Sequence, residues 1–297
     1  MRGAIMNVVD LWNTKKSPTL SFELFPARSE KGAHKLEGVI DDLAGLKPDF
    51  VSVTFGAGGS TRDGSRQLLD KLIHEKELDV IAYFAGYGLG PEDIVSVLNS
   101  YKDLGIETIL VVRGDPPESA DFTPHPDSMV HASDLLSFIG ARYQFCMGAT
   151  GYPEGHVEAE SREKDLHYLT RKVAEGASYV ITNYCYDNRY YFNFVDQCRS
   201  NGITVPLLPG VMPIYSIKMM NMLAKLCGAT ITEEIQNGLA ALPTDDQEAL
   251  EQFGIDLAIR QCRELLTKGV PGIHLYTMDR SRAALAIVGQ LREEGLL

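Results

Sequence analysis

Apolar residues recur along this chain with two alternating periods. Short runs rich in β-branched and aromatic residues fall at 20–26, 50–56, 80–87, 108–112, 143–149, 179–184, 205–209 and 272–277. Between them, apolar positions recur three and four apart, as at Leu36, Val39, Ile40 and Leu43, or at Leu68, Leu69, Leu72 and Ile73. The first pattern predicts strands buried on both faces, and the second predicts amphipathic helices. Further helices are expected from Pro91-Glu92 onward and over 132–141, 162–175, 191–199, 216–226, 233–239, 247–267 and 281–292, after a helical lead-in within 1–18. Glycines 105, 140, 176, 202 and 269 each follow a helical segment and precede a strand, where a left-handed helix cap would sit.

Eight strands, each followed by helix, predict an α/β fold: a single (β/α)8 TIM barrel spanning 1–297, with extra helices before the last strand. A doubly wound open sheet is the competing arrangement. It would show a G-x-G-x-x-G turn after an early strand, and none occurs here.

Composition narrows the function. With 297 residues, 44% of them hydrophobic, the chain can bury a large core. A net charge of −12 argues against a nucleic-acid-binding surface. No stretch reads as a membrane span or an export signal, so a cytoplasmic protein is expected. Five cysteines, odd in number and never closely spaced, suit neither a disulfide framework nor structural zinc. Cys146 and Cys185 are expected inside strands as buried, inert thiols. The seven histidines form no H-E-x-x-H pattern, and a metal-free protein is expected.

In such a barrel the active site gathers at the C-terminal ends of the strands. Those positions are Glu23, Thr54, Phe84, Arg113 with Asp115, Tyr152 with Glu154 and His156, Asn183, Met212, and Tyr276 with Arg280. Glu23 stands between Phe22 and Leu24, where an unpaired carboxylate is strongly disfavoured. Apolar surroundings would raise its pKa and suit it to acid-base work. A salt bridge to Arg28 or to an arginine of a neighbouring strand is the alternative. Arg113-Gly114-Asp115 closes the most apolar strand, and Pro116-Pro117 stops further pairing. Asp115 either pairs with Arg113 or is aimed at a ligand's ring nitrogens. Arg171-Lys172 is either a solvated helix face or a pyrophosphate partner. His274 is expected as a packed core histidine, and His34 and His125 at the surface.

These strand ends, in this order, resemble the methylenetetrahydrofolate reductase family over nearly the whole chain. The resemblance rests on S-F-E-L-F-P-A-R at 21–28, F-V-S-V-T-F-G-A at 50–57, R-G-D-P-P at 113–117 and A-S-D-L at 132–135. G-Y-P-E-G-H at 151–156, R-K-V at 171–173, I-T-N-Y-C-Y-D at 181–187, L-P-G-V-M-P at 208–213 and H-L-Y-T-M-D-R at 274–280 complete it. The resemblance implies an FAD-containing barrel that reduces 5,10-methylenetetrahydrofolate to 5-methyltetrahydrofolate with NADH or NADPH, by ping-pong hydride transfer. It implies Glu23 as the general acid that helps open the folate's one-carbon bridge, and Asp115 beside the flavin ring and the pterin. Thr54, Phe84, Arg113, Gly114, His131, Ala132, Asp134, Tyr152, His156, Asp165, Tyr168, Arg171 and Lys172 fall at the flavin-holding positions. Asn183, Ile217 and Arg280, together with Glu23 and Asp115, fall at the substrate positions. A homo-oligomer with a tetrahydrofolate-type substrate is expected.

The chain departs from the family's pattern at several expected ligand contacts. Tyr83-Phe84-Ala85-Gly86 stands where Pro-His-Leu-Thr is common, and Asn183 stands for Gln. Ile217 replaces a stacking aromatic, His131 a Tyr, and Tyr168 an Asn. Two further readings stay open on that account. One is a related pterin-binding barrel, flavin-free or with a changed one-carbon reaction. The other is a non-catalytic folate-binding partner subunit. A corrinoid-linked methyltransferase finds no motif support.

Overall fold

Inward and outward positions alternate along every strand, and this alternation organises the molecule. The computed structural model describes residues 7–56, 59–116 and 122–297. Residues 1–6 of the lead-in, Ala57, Pro117 and positions 118–121 of the expected loop lie outside the described residues. The strands are β1 Thr19–Leu24, β2 Phe50–Val53, β3 Val80–Ala85, β4 Thr108–Val112, β5 Cys146–Gly151, β6 Tyr179–Thr182, β7 Leu207–Leu208, β8 Gly210–Val211 and β9 Gly272–Tyr276. All pair in parallel, in the order β7-β6-β5-β4-β3-β2-β1-β9-β8.

The two ends of that order are neighbours in sequence. β7 falls within the seventh strand expected over 205–209 and β8 lies beyond its expected end, the two separated by Pro209, which has no N–H to give the ladder. β7 pairs with β6 and β8 with β9, so this broken strand closes the ring. The carbonyl of Pro209 accepts from the His274 N–H at 3.0 Å, and Gly210 N donates to Thr182 Oγ1 at 3.1 Å. The (β/α)8 barrel expected from sequence is therefore the fold.

Helices α2 Glu30–Gly45, α3 Gly59–His74, α4 Pro91–Asp103, α5 Ala132–Gly140, α6 Arg162–Ala174 and α7 Asn188–Ser200 follow β1 to β6 in turn. The extra helices α8 Ile217–Cys227, α9 Glu233–Ala240 and α10 Gln247–Thr267 precede β9, and α11 Arg282–Glu293 follows it. Outward residues such as Phe22, Leu24, Val53, Phe84, Ile109 and Val111 pack beneath these helices. Inward residues Phe50, Ile81, Leu110, Tyr179, Ile181 and Leu208 fill the barrel. Gly148 of β5 makes room for this filling. A Cβ there would overlap the ring of Tyr179, whose hydroxyl donates to the Ile109 carbonyl at 2.9 Å.

The N-terminal end of the barrel is closed by α1 Val8–Thr14. Val8 is fully buried among Phe50, Leu110 and Tyr179. Trp12 stacks edge-on to Tyr179 at 5.8 Å and donates its indole N–H to Thr19 Oγ1 at 2.9 Å.

Several sequence expectations are corrected. The strands expected over 20–26, 50–56 and 80–87 stop at Leu24, Val53 and Ala85, and the one expected over 143–149 runs instead from Cys146 to Gly151. Gly105, Gly176, Gly202 and Gly269 adopt positive φ as expected, but Gly140 is the last residue of α5, capped by Ala141 in a right-handed conformation. Cys185 lies beyond the end of β6 rather than in a strand, although it is buried as expected.

Candidate active site

The C-terminal ends of the strands surround a two-lobed cleft. The inner lobe, about 450 Å³, is lined by Glu23, Asn183, Cys227 and Tyr276, among others. The outer lobe, about 490 Å³, lies over Arg113, Gly114, His131, Ala132, Asp165, Tyr168 and Lys172. Tyr83, Asp115, Thr150, Tyr152, His156 and Glu158 border both. The two lobes are thus one continuous site.

Glu23 is the penultimate residue of β1, and the strand's alternation turns it inward while Phe22 and Leu24 face the helices. It is buried, and among the described residues no cation figures as its neighbour, which argues against the alternative of a salt bridge. Loss of hydration raises its pKa to about 7, against which the Tyr83 hydroxyl pulls downward and Asp279 pushes further up. A carboxyl in this state can give or take a proton near neutrality.

Asp115 sits on the opposite rim with its side chain 91% exposed. Arg113 reaches it at 3.5 Å but meets Glu158 more closely, at 2.7 Å. The ion pair expected at this strand end therefore exists, with Glu158 as the closer partner. Gly114 between them has φ +83°, and a Cβ there would lie 3.0 Å from the Ala85 Cβ, so this turn requires glycine.

Arg171 and Lys172, adjacent in sequence, diverge on α6 because successive helical residues point about 100° apart. Arg171 turns outward to Asp134 of α5 at 3.6 Å. Lys172 turns into the cleft wall, where Nζ donates to the Thr150 carbonyl at 2.6 Å. Burial lowers its pKa to about 8, and Asp165 opposes the shift. Asp165 in turn accepts from the His156 backbone N–H at 3.2 Å, and burial raises its pKa. His156 packs edge-on against Tyr152 at 4.5 Å. Its Nδ1 accepts from the Glu158 N–H at 3.1 Å, leaving the proton of the neutral ring on Nε2. At the outer end, the rings of His131 and Tyr168 stack at 6.1 Å.

Several expected positions, Asp134 and Arg171 among them, lie off the cleft lining. Phe84 is fully buried in the layer between strands and helices, 5.5 Å from Phe55, because its parity on β3 is outward. Ile217 opens α8 and lines a separate apolar pocket with Met220, Ile231 and Leu239. Arg280 lies over the ring of Tyr215 at 5.2 Å, off the cleft lining. Thr54 lies just beyond the end of β2, and its carbonyl accepts from Ser65. Met212 is buried in the core, and Glu154 anchors the loop before α9 through the Thr230 N–H at 3.1 Å. His274 is a core histidine as expected, hydrogen-bonded within the barrel and with its pKa lowered to about 3 by burial.

Sequence reasoning missed Tyr83, Thr150 and Glu158. Tyr83 was within reach, because counting parity from Ile81 turns Tyr83 inward and Phe84 outward. Thr150 was hidden by ending β5 too early. Glu158 belongs to a loop and carried no periodic signal.

The sequence profile of the family described as Methylenetetrahydrofolate reductase matches residues 8–292. Methylenetetrahydrofolate reductase (NADH) 1 of Zea mays is 34% identical over 283 residues, covering 91% of this chain and 48% of the maize protein. The 5,10-methylenetetrahydrofolate reductase of Escherichia coli (strain K12) is 32% identical over 269 residues, covering 90% of this chain and 88% of that protein. This chain thus spans about half the length of the plant relatives it matches and most of the bacterial one. A solved structure of an uncharacterized Clostridium thermocellum protein, which binds two copies of 5-methyl-5,6,7,8-tetrahydrofolic acid, superposes with TM-score 0.65 at 15% identity. It covers 96% of this chain and 99% of its own, and at that identity the likeness concerns the fold alone. A profile match over nearly all of the barrel, with relatives above 30% identity, decides the matter: the chain belongs to the methylenetetrahydrofolate reductase family.

Proposed function

We propose that this protein reduces 5,10-methylenetetrahydrofolate to 5-methyltetrahydrofolate, with NADH or NADPH as the reductant and FAD as the resident carrier. The observation that carries the proposal is Glu23: a buried carboxyl with a pKa of about 7 at the floor of a cleft, with Asp115 on its rim. Opening the folate's one-carbon bridge needs a proton at a ring nitrogen. Glu23 carries that proton near neutrality and delivers it in a site its own burial keeps poor in water.

The outer lobe has the donor set an FAD requires. His131 caps α5 without a side-chain hydrogen bond. First-turn N–H groups have no acceptor within their own helix, so those of Ala132 and Ser133, on the cleft wall, suit a diphosphate. Arg113 and Lys172 supply positive charge beside them. Asp165 offers a carboxylate to ribose hydroxyls, and the His131–Tyr168 pair offers a stacking face to an adenine. A bound FAD would supply hydride carriage between the nicotinamide and the folate. Asn183 on the inner lobe suits the hydrogen-bonding edge of a pterin, and Asp115 borders both lobes, which supports a role for it between flavin and pterin.

Glu23→Gln tests the reading. The variant should bleach its flavin with NADH at the wild-type rate and lose at least about 100-fold in folate reduction. Unimpaired folate turnover would remove Glu23 from its role. A purified wild-type protein that takes up no FAD would overturn the flavin route.

A further inference from the structure

Glu154 belongs to the 151–156 motif, yet the proposed chemistry leaves it unused, and it lines neither lobe of the cleft. The Gly155 N–H donates to the Tyr152 carbonyl at 2.9 Å, so residues 152–155 form a tight turn. Tyr152 and His156, on either side of that turn, pack against each other at 4.5 Å and border the cleft. Glu154 instead reaches across to the connection that follows α8. Both of its carboxylate oxygens accept from the Thr230 N–H at 3.1 Å, and one also accepts from the Thr230 hydroxyl.

A second contact lies close by. Gly228 caps α8 in the left-handed conformation, with φ +76°. A Cβ there would stand 2.9 Å from Val157 Cγ1, so the helix end and the segment after the turn are at closest approach. The two contacts together join residues 152–158 to the end of α8.

This joint matters because α8 is shallowly seated. Of its eleven residues only Met220 and Ala224 are buried, while Ile217, Met222 and Leu226 are exposed. Its last two residues, Leu226 and Cys227, nevertheless line the inner lobe together with Glu23 and Asn183. The turn, by contrast, has anchors of its own. The His156 N–H donates to Asp165 at 3.2 Å, and Glu158 meets Arg113 at 2.7 Å. Breaking the joint would therefore release the end of α8 and leave the turn in place.

We propose that Glu154 is a positioning residue: it ties the end of α8 to the turn after β5 and thereby fixes one wall of the inner lobe. The joint belongs to the fold itself, whereas its consequence for a folate rests on the reductase reading. Both donors on Thr230 are neutral, so the joint needs an acceptor oxygen at position 154 rather than a charge. The outer lobe takes no lining residue from α8, so loss of the joint should disturb the inner lobe's ligand and spare FAD.

Cys227 gives a readout that needs no substrate. It is half-buried, whereas Cys146, Cys185, Cys198 and Cys262 are buried. In the full chain carrying Glu154→Ala, modification by dithiobis-nitrobenzoate should accelerate at least about fivefold at Cys227 alone, as located by peptide mass spectrometry. Thr230→Val removes one donor and should give a smaller acceleration at the same thiol. Glu154→Gln keeps an acceptor and should stay near the wild-type rate. An unchanged rate at Cys227 in Glu154→Ala, or an acceleration shared by the four buried thiols, would overturn the proposal. In turnover, Glu154→Ala should raise KM for methylenetetrahydrofolate at least about fivefold while Kd for FAD stays unchanged. An unchanged KM, or a parallel loss of FAD affinity, would likewise overturn it. Wild-type protein that reduces no folate while the thiol results hold would instead refute the reductase reading alone.

Discussion

Glu23 and Lys172 show how a barrel mouth sets the charge of single residues, in both cases through lost hydration. The Glu23 pKa rises from 4.5 to about 7, so the native state binds more protons than the unfolded chain between those values. Stability from this residue is therefore greatest below pH 4.5 and falls as pH rises to about 7. Glu23→Gln should stabilise the protein by about 3 kcal/mol at pH 8 and scarcely at all at pH 4, as read by urea unfolding at both values. Lys172 shifts the other way, from 10.5 to about 8. A diphosphate needs it charged, so affinity for FAD or ADP should be constant below pH 8. Above that, affinity should weaken by up to about tenfold per pH unit, and Lys172→Met should abolish this dependence in a binding titration. The Glu23 shift was legible in the sequence, since flanking Phe22 and Leu24 already imply an apolar setting for the carboxylate. The inward turn of Lys172 was not, because a basic pair on a helix is most often solvated.

At the scale of elements, the alternation within strands decides which residues reach the cleft. A reading that took positions at the C-terminal ends of the strands as site residues reached the cleft lining at Glu23 and Arg113 but not at Phe84. Parity, rather than position along the strand, determines what faces the barrel axis. The same alternation couples Gly148 of β5 to Tyr179 of β6. Gly148→Ala would force the Tyr179 ring off the Ile109 carbonyl and should cost about 2–3 kcal/mol, measurable as a lower urea midpoint with an unchanged slope. The seventh strand was legible as a run of Val, Leu and Pro. Its division at Pro209 was not, because only the neighbours β6 and β9 show that each half serves a different partner.

Over the whole molecule, the two ends of the barrel have different tasks. The N-terminal end is plugged by α1, and the only tryptophan of the chain lies there. Trp12→Ala should lower stability by about 2–3 kcal/mol while leaving KM for the proposed methylenetetrahydrofolate and nicotinamide substrates unchanged, because the cleft lies at the opposite end. A comparable loss in kcat/KM would show the two ends to be coupled. Among the described residues no helix is long and apolar enough to cross a membrane.

The eight strand-forming segments, the helices between them, the buried acid on β1 and the family of the chain were all set by local pattern and motif. These depend on periodicity and on short runs of residue types, which a linear chain displays directly. The closed barrel brought Tyr83, inward by its parity on β3, into one cleft with Glu23. It alone separated Lys172 from Arg171, set Glu158 against Arg113, and left Ile217 and Arg280 off the cleft lining. Those outcomes depend on how inward strand positions, helix faces and loops converge about a common axis, which exists only once the ring is closed.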